Sequence, residues 1–286
     1  MSPSRTQVYV HGGVSGTSKP PTSLAHSLAL AITAATALDA VEEAVCRLED
    51  DPELNAGWGS VLNHDGAIEL DAGIADGATG HAGGVVGVSV RHPVSLARRV
   101  LASTPHVLMA GDGAMAIGES MDILETTTER QIQRYRRALD EGGLDERHFG
   151  ADEHVDTVGA VALDSNGDLA AASSTGGVFG KLAGRVGDSA IFGAGTFASS
   201  VAAVVGTGVG ELFLETLASA RVARAIEEGA HPQAACEQVI AYLGARSDAP
   251  AGLLALGAND QVGAAYRGGS WAVEGPHGPL EVVRVE

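Results

Sequence analysis

Apolar and polar positions alternate in two rhythms along this chain. Gln7 to Val10 reads as a short strand delivered into a turn at His11-Gly12-Gly13. Leu38, Val41, Val45 and Leu48 then recur at helical spacing, with Glu42, Glu43, Arg47 and Glu49 on the other side. That pattern predicts an amphipathic helix ending near Asp50-Asp51-Pro52. Gly59 to Leu62, Ala67 to Ala75 and Val85 to Val90 read as glycine-punctuated strands. A helix from Pro93 to Ala102, a brief strand at His106 to Met109 and a helix from Gly113 to Leu139 follow.

Gly142 to Val155 loses this periodicity and has the composition of an exposed connection. Beyond it, Asp156 to Leu163 and Leu169 to Ser173 predict a hairpin across Ser165-Asn166-Gly167-Asp168, and Ala190 to Ala194 and Val201 to Val205 continue the sheet. Helices over Gly210 to Glu228 and Pro232 to Ala245 precede strands at Leu253 to Leu256 and Val262 to Tyr266. Strands grouped before helices in both halves predict an α+β fold, a layered αββα sandwich with mainly antiparallel sheet.

Composition narrows the function. The 286 residues are 45% apolar, 19% charged and 4% aromatic, with 39 glycines, the profile of a globular chain with many close backbone approaches. A formal charge of −18 repels nucleic-acid backbones and anionic membranes, so neither is expected as a partner. Cys46 and Cys236 are too few for a disulfide framework. Met1 to Tyr9 lacks the basic-then-apolar order of a signal peptide, and the apolar run Leu28 to Leu38 is too short for a bilayer, so a cytoplasmic location is expected. No Walker A, HExxH or G-x-S-x-G string occurs. Gly206-Thr207-Gly208-Val209-Gly210 follows a strand and opens a helix but lacks a dinucleotide register, which leaves nucleotide binding a third-ranked reading.

Candidate chemistry lies in the second half. Thr157 opens a strand just after the connector. Ser173-Ser174-Thr175-Gly176-Gly177, Gly184-Arg185-Val186-Gly187-Asp188-Ser189 and Thr207-Gly208-Val209-Gly210-Glu211 follow. Taken singly, Thr157 reads as an ordinary strand residue, Thr175 as a turn-bonding hydroxyl, Gly208 as a helix-start turn, and Arg185 with Asp188 as a surface ion pair.

Together these segments resemble the plant-type asparaginase and isoaspartyl peptidase family of N-terminal-threonine hydrolases, which also includes glycosylasparaginases and threonine aspartases. The likeness begins at His11-Gly12-Gly13. It passes through Asn55-Ala56-Gly57-Trp58-Gly59, Leu70-Asp71-Ala72 and Ala75-Asp76-Gly77, and reaches Gly252-Leu253-Leu254. The resemblance implies a precursor cut between Asp156 and Thr157 into an α chain of residues 1–156 and a β chain of residues 157–286. The two chains form one domain, and two such αβ units pair as a homodimer. Thr157 would attack with its hydroxyl and use its freed α-amine, which titrates near ~8, as base. Thr175 would orient that hydroxyl, while Thr207 and Gly208 form the oxyanion hole with support from Asn55. Arg185 and Asp188, with Gly208 and Gly210 beside them, would grip the α-carboxylate and α-ammonium of an aspartyl group.

No catalytic cofactor is implied, but a structural sodium ion is, held by the main-chain carbonyls of Leu48, Glu49, Asp51, Leu54, Ala56 and Trp58. The implied reaction releases L-aspartate from β-aspartyl dipeptides, from L-asparagine or from both. Three departures bear on specificity. Asp156 replaces the glycine usual before the threonine in the asparaginase branch and points to a glycosylasparaginase or threonine-aspartase alternative. Ala190 stands where proline is common, and Ala265-Tyr266-Arg267-Gly268-Gly269 replaces an Asn-Thr-x-Gly-Met kind of ending. A slowly cleaving or inactive binding relative is the reading from another class.

Overall fold

The computed structural model describes residues 6–15, 33–141, 144, 154–155 and 157–286. The first half contains β1 (Gln7–His11), β2 (Val14–Ser15), α1 (Ala37–Glu49), β3 (Leu70–Asp76), β4 (His81–Val88), α2 (Pro93–Ser103), β5 (Leu108–Ala110), α3 (Gly111–Ile117), α4 (Glu129–Asp140) and β6 (His154–Val155). The second half opens with β7 (Val158–Leu163), β8 (Leu169–Thr175), β9 (Thr196–Ala198) and β10 (Ala202–Gly208), followed by α5 (Gly210–Thr216), α6 (Ala218–Glu227) and α7 (Pro232–Gly244). It closes with β11 (Ala251–Gly257), β12 (Val262–Arg267), β13 (Val273–Gly275), β14 (Gly278–Pro279) and β15 (Val283–Arg284).

One sheet has eight strands in the order β14-β13-β1-β7-β8-β3-β4-β5, and a second has five, β15-β12-β11-β10-β9. Pairing is antiparallel apart from β4 with β5 and β12 with β15. Strand side chains alternate between faces, so position parity assigns each residue to a layer. Val158, Ala160, Ala162, Ala170 and Ala172 pack with α1 and α2. Val161, Leu163, Leu169 and Ala171 meet Ala203, Val205 and Leu254 between the sheets. Val204 and Leu253 face α6 and α7 on the far side. The result is helix, sheet, sheet, helix, as expected from the grouped elements. The β7–β8 turn is tied to the helix layer, because Asp164 Oδ2 accepts the Ala37 N–H at the start of α1 at 3.1 Å.

Four sequence expectations are corrected. Gly59 to Leu62 is not a strand but leaves a short 3-10 turn at Gly57–Gly59. Its backbone is satisfied by side chains: Asn55 Oδ1 accepts the Val61 N–H at 3.0 Å and Thr127 Oγ1 donates to the Ser60 carbonyl at 2.6 Å. Ala190 to Ala194 is a string of turns, with the Asp188 carbonyl accepting from both Ile191 and Gly195, and the strand begins only at Thr196. The expected helix Gly113 to Leu139 is two helices, interrupted where the Gly118 N–H caps α3 and Ile123 bridges to Val90. The expected helix Gly210 to Glu228 breaks at Leu217, whose φ of 51° is left-handed. Arg221 Nε there donates to the Thr216 carbonyl at 2.6 Å. The strand β13 beside β1 went unforeseen. Asp156, most of the connector and residues 28–32 of the apolar run lie outside the described residues.

Candidate active site

Three threonines lie on the facing surfaces of the two sheets. Thr157 precedes β7, Thr175 ends β8, and the pairing of Val158 with Ser174 puts Thr157 opposite Thr175 one step further on. Opposed residues of an antiparallel pair project to the same side of the sheet. Their parity matches Val161 and Ala171, so both hydroxyls point between the sheets. Thr207 on β10 has the parity of Ala203 and Val205 and points back from the other sheet. Gly159, two residues after Thr157, lies against Val205, which fixes the approach of β7 to β10. All three threonines are buried.

Their hydroxyls are partly committed. Thr175 Oγ1 accepts the Gly177 N–H at 3.0 Å, which leaves its own hydrogen to donate elsewhere. Thr207 Oγ1 accepts the Val14 N–H at 3.3 Å from β2, the strand that pairs with β6 just ahead of the expected cleavage point. Gly208 has φ +149°, and a Cβ there would lie 2.7 Å from the Pro250 carbonyl and 2.9 Å from Phe213. Only glycine keeps the main chain in this place.

Arg185 and Asp188 flank Gly210, where a Cβ would come within 2.9 Å of Arg185 Nη2 and 3.0 Å of Asp188 Oδ1. Asp188 is buried, and its Oδ2 has no hydrogen-bond partner among the described residues. Burial pushes its carboxyl up to about 7, against the pull of Arg185. A buried carboxylate oxygen without a donor leaves an unmet hydrogen-bonding demand at this point of the fold.

Three further residues, to which the sequence alone assigns no role, support this part of the fold. Glu211 binds Arg185 at two points, Nε to Oε1 at 2.8 Å and Nη2 to Oε2 at 2.7 Å. Asp71, paired with Thr175 across β3 and β8, accepts the Gly187 N–H and the Gly87 N–H, each at 3.0 Å, and so anchors the loop carrying Arg185 and Asp188. Lys181 is fully buried, with Nζ donating to the Glu69 carbonyl at 2.8 Å and lying 2.9 Å from where a Cβ of Gly177 would be. Burial lowers its pKa while Asp71 opposes the shift. A lysine between two glycine-rich motifs was the only sequence signal for it.

Asn55 reaches the threonines through the turn after Thr175. Its carbonyl accepts the Gly176 N–H at 2.8 Å and its Nδ2 donates to the Gly177 carbonyl at 2.7 Å. His11 lies beside Gly159 and the Thr157 carbonyl and packs on Trp271 with ring centroids 5.5 Å apart. Burial pushes its pKa down to about 3, so the ring is a neutral wedge at the root of β7.

The expected sodium loop is a distinct feature. Carbonyls of Leu54, Asp51 and Pro52 converge on Gly59, and the Glu49 carbonyl on Gly57, at distances that leave no room for a side chain. The Leu48, Asp51 and Ala56 carbonyls accept loop N–H groups, and the Trp58 carbonyl, 3.1 Å from Thr127 Oγ1, shares that hydroxyl's one proton with the nearer Ser60 carbonyl. A concentration of hard main-chain oxygens suits a hard cation.

The fold is a four-layered α+β sandwich, with buried threonines on the inner sheet faces and Arg185 and Asp188 on a loop anchored beside Thr175. Comparison with known proteins narrows this. The family model described as asparaginase matches residues 22–273. The chain is 48% identical over 217 residues to an isoaspartyl peptidase of Salmonella typhimurium, covering 72% of this chain and 69% of that one. It is 44% identical over 220 residues to a plant-type L-asparaginase of Pyrococcus abyssi, covering 72% and 71%, and 41% identical over 259 residues to an isoaspartyl peptidase of Escherichia coli, covering 82% and 81%. The chain belongs to the asparaginase family and is a hydrolase of C–N amide bonds. Among the described residues no helix is long and apolar enough to cross a membrane.

Proposed function

We propose that this protein is a self-cleaving amidohydrolase that releases L-aspartate from β-aspartyl dipeptides, from L-asparagine or from both, with Thr157 as nucleophile. The observation that carries the reading is the convergence of Thr157, Thr175 and Thr207 between the sheets beside the Arg185–Asp188 cradle. Arg185 takes the substrate α-carboxylate and Asp188 Oδ2 the α-ammonium, which leaves the side-chain amide to reach Thr157.

In the uncut chain the nitrogen of Thr157 is a peptide amide and has no useful basicity. Attack of the Thr157 hydroxyl on the carbonyl of Asp156, followed by water, breaks that bond and frees the α-amine. The amine then takes the hydroxyl proton as Oγ1 attacks the substrate amide carbon. Thr207 and the Gly208 N–H receive the developing oxyanion, each such donor being worth about 3 kcal/mol of barrier. The amine leaves with a proton, and water opens the β-aspartyl ester to give aspartate and restore Thr157. The Val14 N–H donates to the Thr207 hydroxyl, and cleavage after Asp156 would fall one residue beyond β6, the strand that pairs with β2.

The carbonyl-rich loop at 48–58 would hold a sodium ion as a structural brace beneath Asn55. Two αβ units pair in this reading.

Asp156 favours one second reading, hydrolysis of an N-glycosylated asparagine. Parallel assays on asparagine, a β-aspartyl dipeptide and a glycosylated asparagine decide between them. Turnover of either of the first two supports the proposal, and turnover of the last alone overturns it.

A further inference from the structure

Outside the reaction site, Cys46, Glu49 and His92 bring one sulfur, one carboxylate oxygen and one ring nitrogen within 4.8 Å of one another. Cys46 and Glu49 stand three residues apart, on one face of α1, and His92 caps the start of α2. We propose that these three side chains bind a borderline-soft divalent cation of the zinc type, with water in the fourth position.

One edge of the cluster already has the length it would have in an occupied site. His92 Nδ1 is 3.3 Å from Glu49 Oε2, about the edge of a tetrahedron with ~2.0–2.1 Å bonds. A backbone donor already holds the carboxylate, and a second carboxylate stands within ion-pair reach of the ring, though beyond hydrogen-bond length. Glu49 Oε1 accepts the Val94 N–H at 3.0 Å, which holds the carboxylate so that Oε2 faces the histidine. His92 Nε2, the ring nitrogen away from the site, lies 3.6 Å from Asp50 Oδ1. Arg91 in turn fixes that oxygen, with Nε at 2.8 Å and Nη2 at 2.7 Å. A carboxylate behind the second nitrogen of a histidine is the arrangement that orients metal-bound imidazoles. Ser95 Oγ lies 3.3 Å from Cys46 Sγ and donates to Glu42 at 2.7 Å.

Sulfur with imidazole and carboxylate selects zinc-like ions over calcium or magnesium, so this site differs in ligand chemistry from the main-chain carbonyls of 48–58. Glu49 is buried, whereas Cys46 and His92 are only partly so, which gives an ion a way in. A bound cation would fasten the end of α1 to the start of α2 at the root of the loop carrying Asn55.

The test is titration of metal-free protein with Co²⁺, followed by sulfur-to-cobalt charge-transfer absorption. The expected result is a band saturating at one equivalent, displaced by Zn²⁺, lost in Cys46→Ser and retained in Cys236→Ser. Asp50→Asn keeps all three donors and is expected to weaken binding 10–100-fold. Circular dichroism without metal reports whether each variant folds; if Cys46→Ser does not, the Asp50→Asn comparison decides. Absence of the band in the parent protein, its persistence in folded Cys46→Ser, or an unchanged affinity in Asp50→Asn overturns the proposal.

Discussion

Glu211 holds Arg185 from the solvent side of the cradle, accepting Nε at 2.8 Å and Nη2 at 2.7 Å. The guanidinium is thus aimed before any substrate arrives, and its remaining edge, Nη1, points toward Gly187. Glu211 is itself half exposed, which limits the strength of the pair. Glu211→Ala is expected to raise KM about 5-fold, equivalent to roughly 1 kcal/mol, with kcat and chain cleavage unchanged. Steady-state kinetics on purified, fully processed protein check this, and a fall in kcat with constant KM contradicts it.

The carboxyl of Asp188 should impose a pH limit. With its pKa pushed up to about 7 it carries a proton below that pH and cannot receive an ammonium. kcat/KM is therefore expected to rise with pH through 7, and a flat profile from pH 5.5 to 7.5 contradicts the assignment.

The same residue links site and stability. A folded pKa above the unfolded 3.8 means that the contribution of Asp188 is fully present below pH 4 and lost as pH rises through 7. Asp188→Asn should therefore be more stable to urea than the parent at pH 8, by roughly 4 kcal/mol, and no more stable than the parent at pH 4, while losing substrate binding.

Gly208 is expected to tolerate no side chain. At φ +149°, with the Pro250 carbonyl 2.7 Å from the Cβ position, alanine must displace the main chain whose N–H serves the oxyanion. Gly208→Ala should cost about 1–3 kcal/mol of stability and lower kcat by 10²-fold or more. Equal activity in the variant would remove the N–H from the mechanism.

Much of this was legible because it follows from periodicity. Parity along β7, β8 and β10 sorts Thr157, Thr175 and Thr207 onto the face between the sheets, and grouped strands and helices give the layers. The strand expected at 59–62 failed because Asn55 and Thr127, distant or out of register, replace a neighbouring strand as hydrogen-bond partners. The helix break at Leu217 left no glycine or proline as a mark. The sequence assigns no role to Glu211, Asp71 or Lys181 for a related reason. Each acts through a contact spanning 26 residues or more, and no local spacing encodes such pairings.

The most direct test of the account is the intact mass of the purified protein, fresh and after incubation, beside Thr157→Ala. The account predicts two fragments divided between Asp156 and Thr157 in the parent, appearing together with amidohydrolase activity, and one unbroken, inactive chain in the variant. A fully active parent that remains a single polypeptide of 286 residues would contradict it.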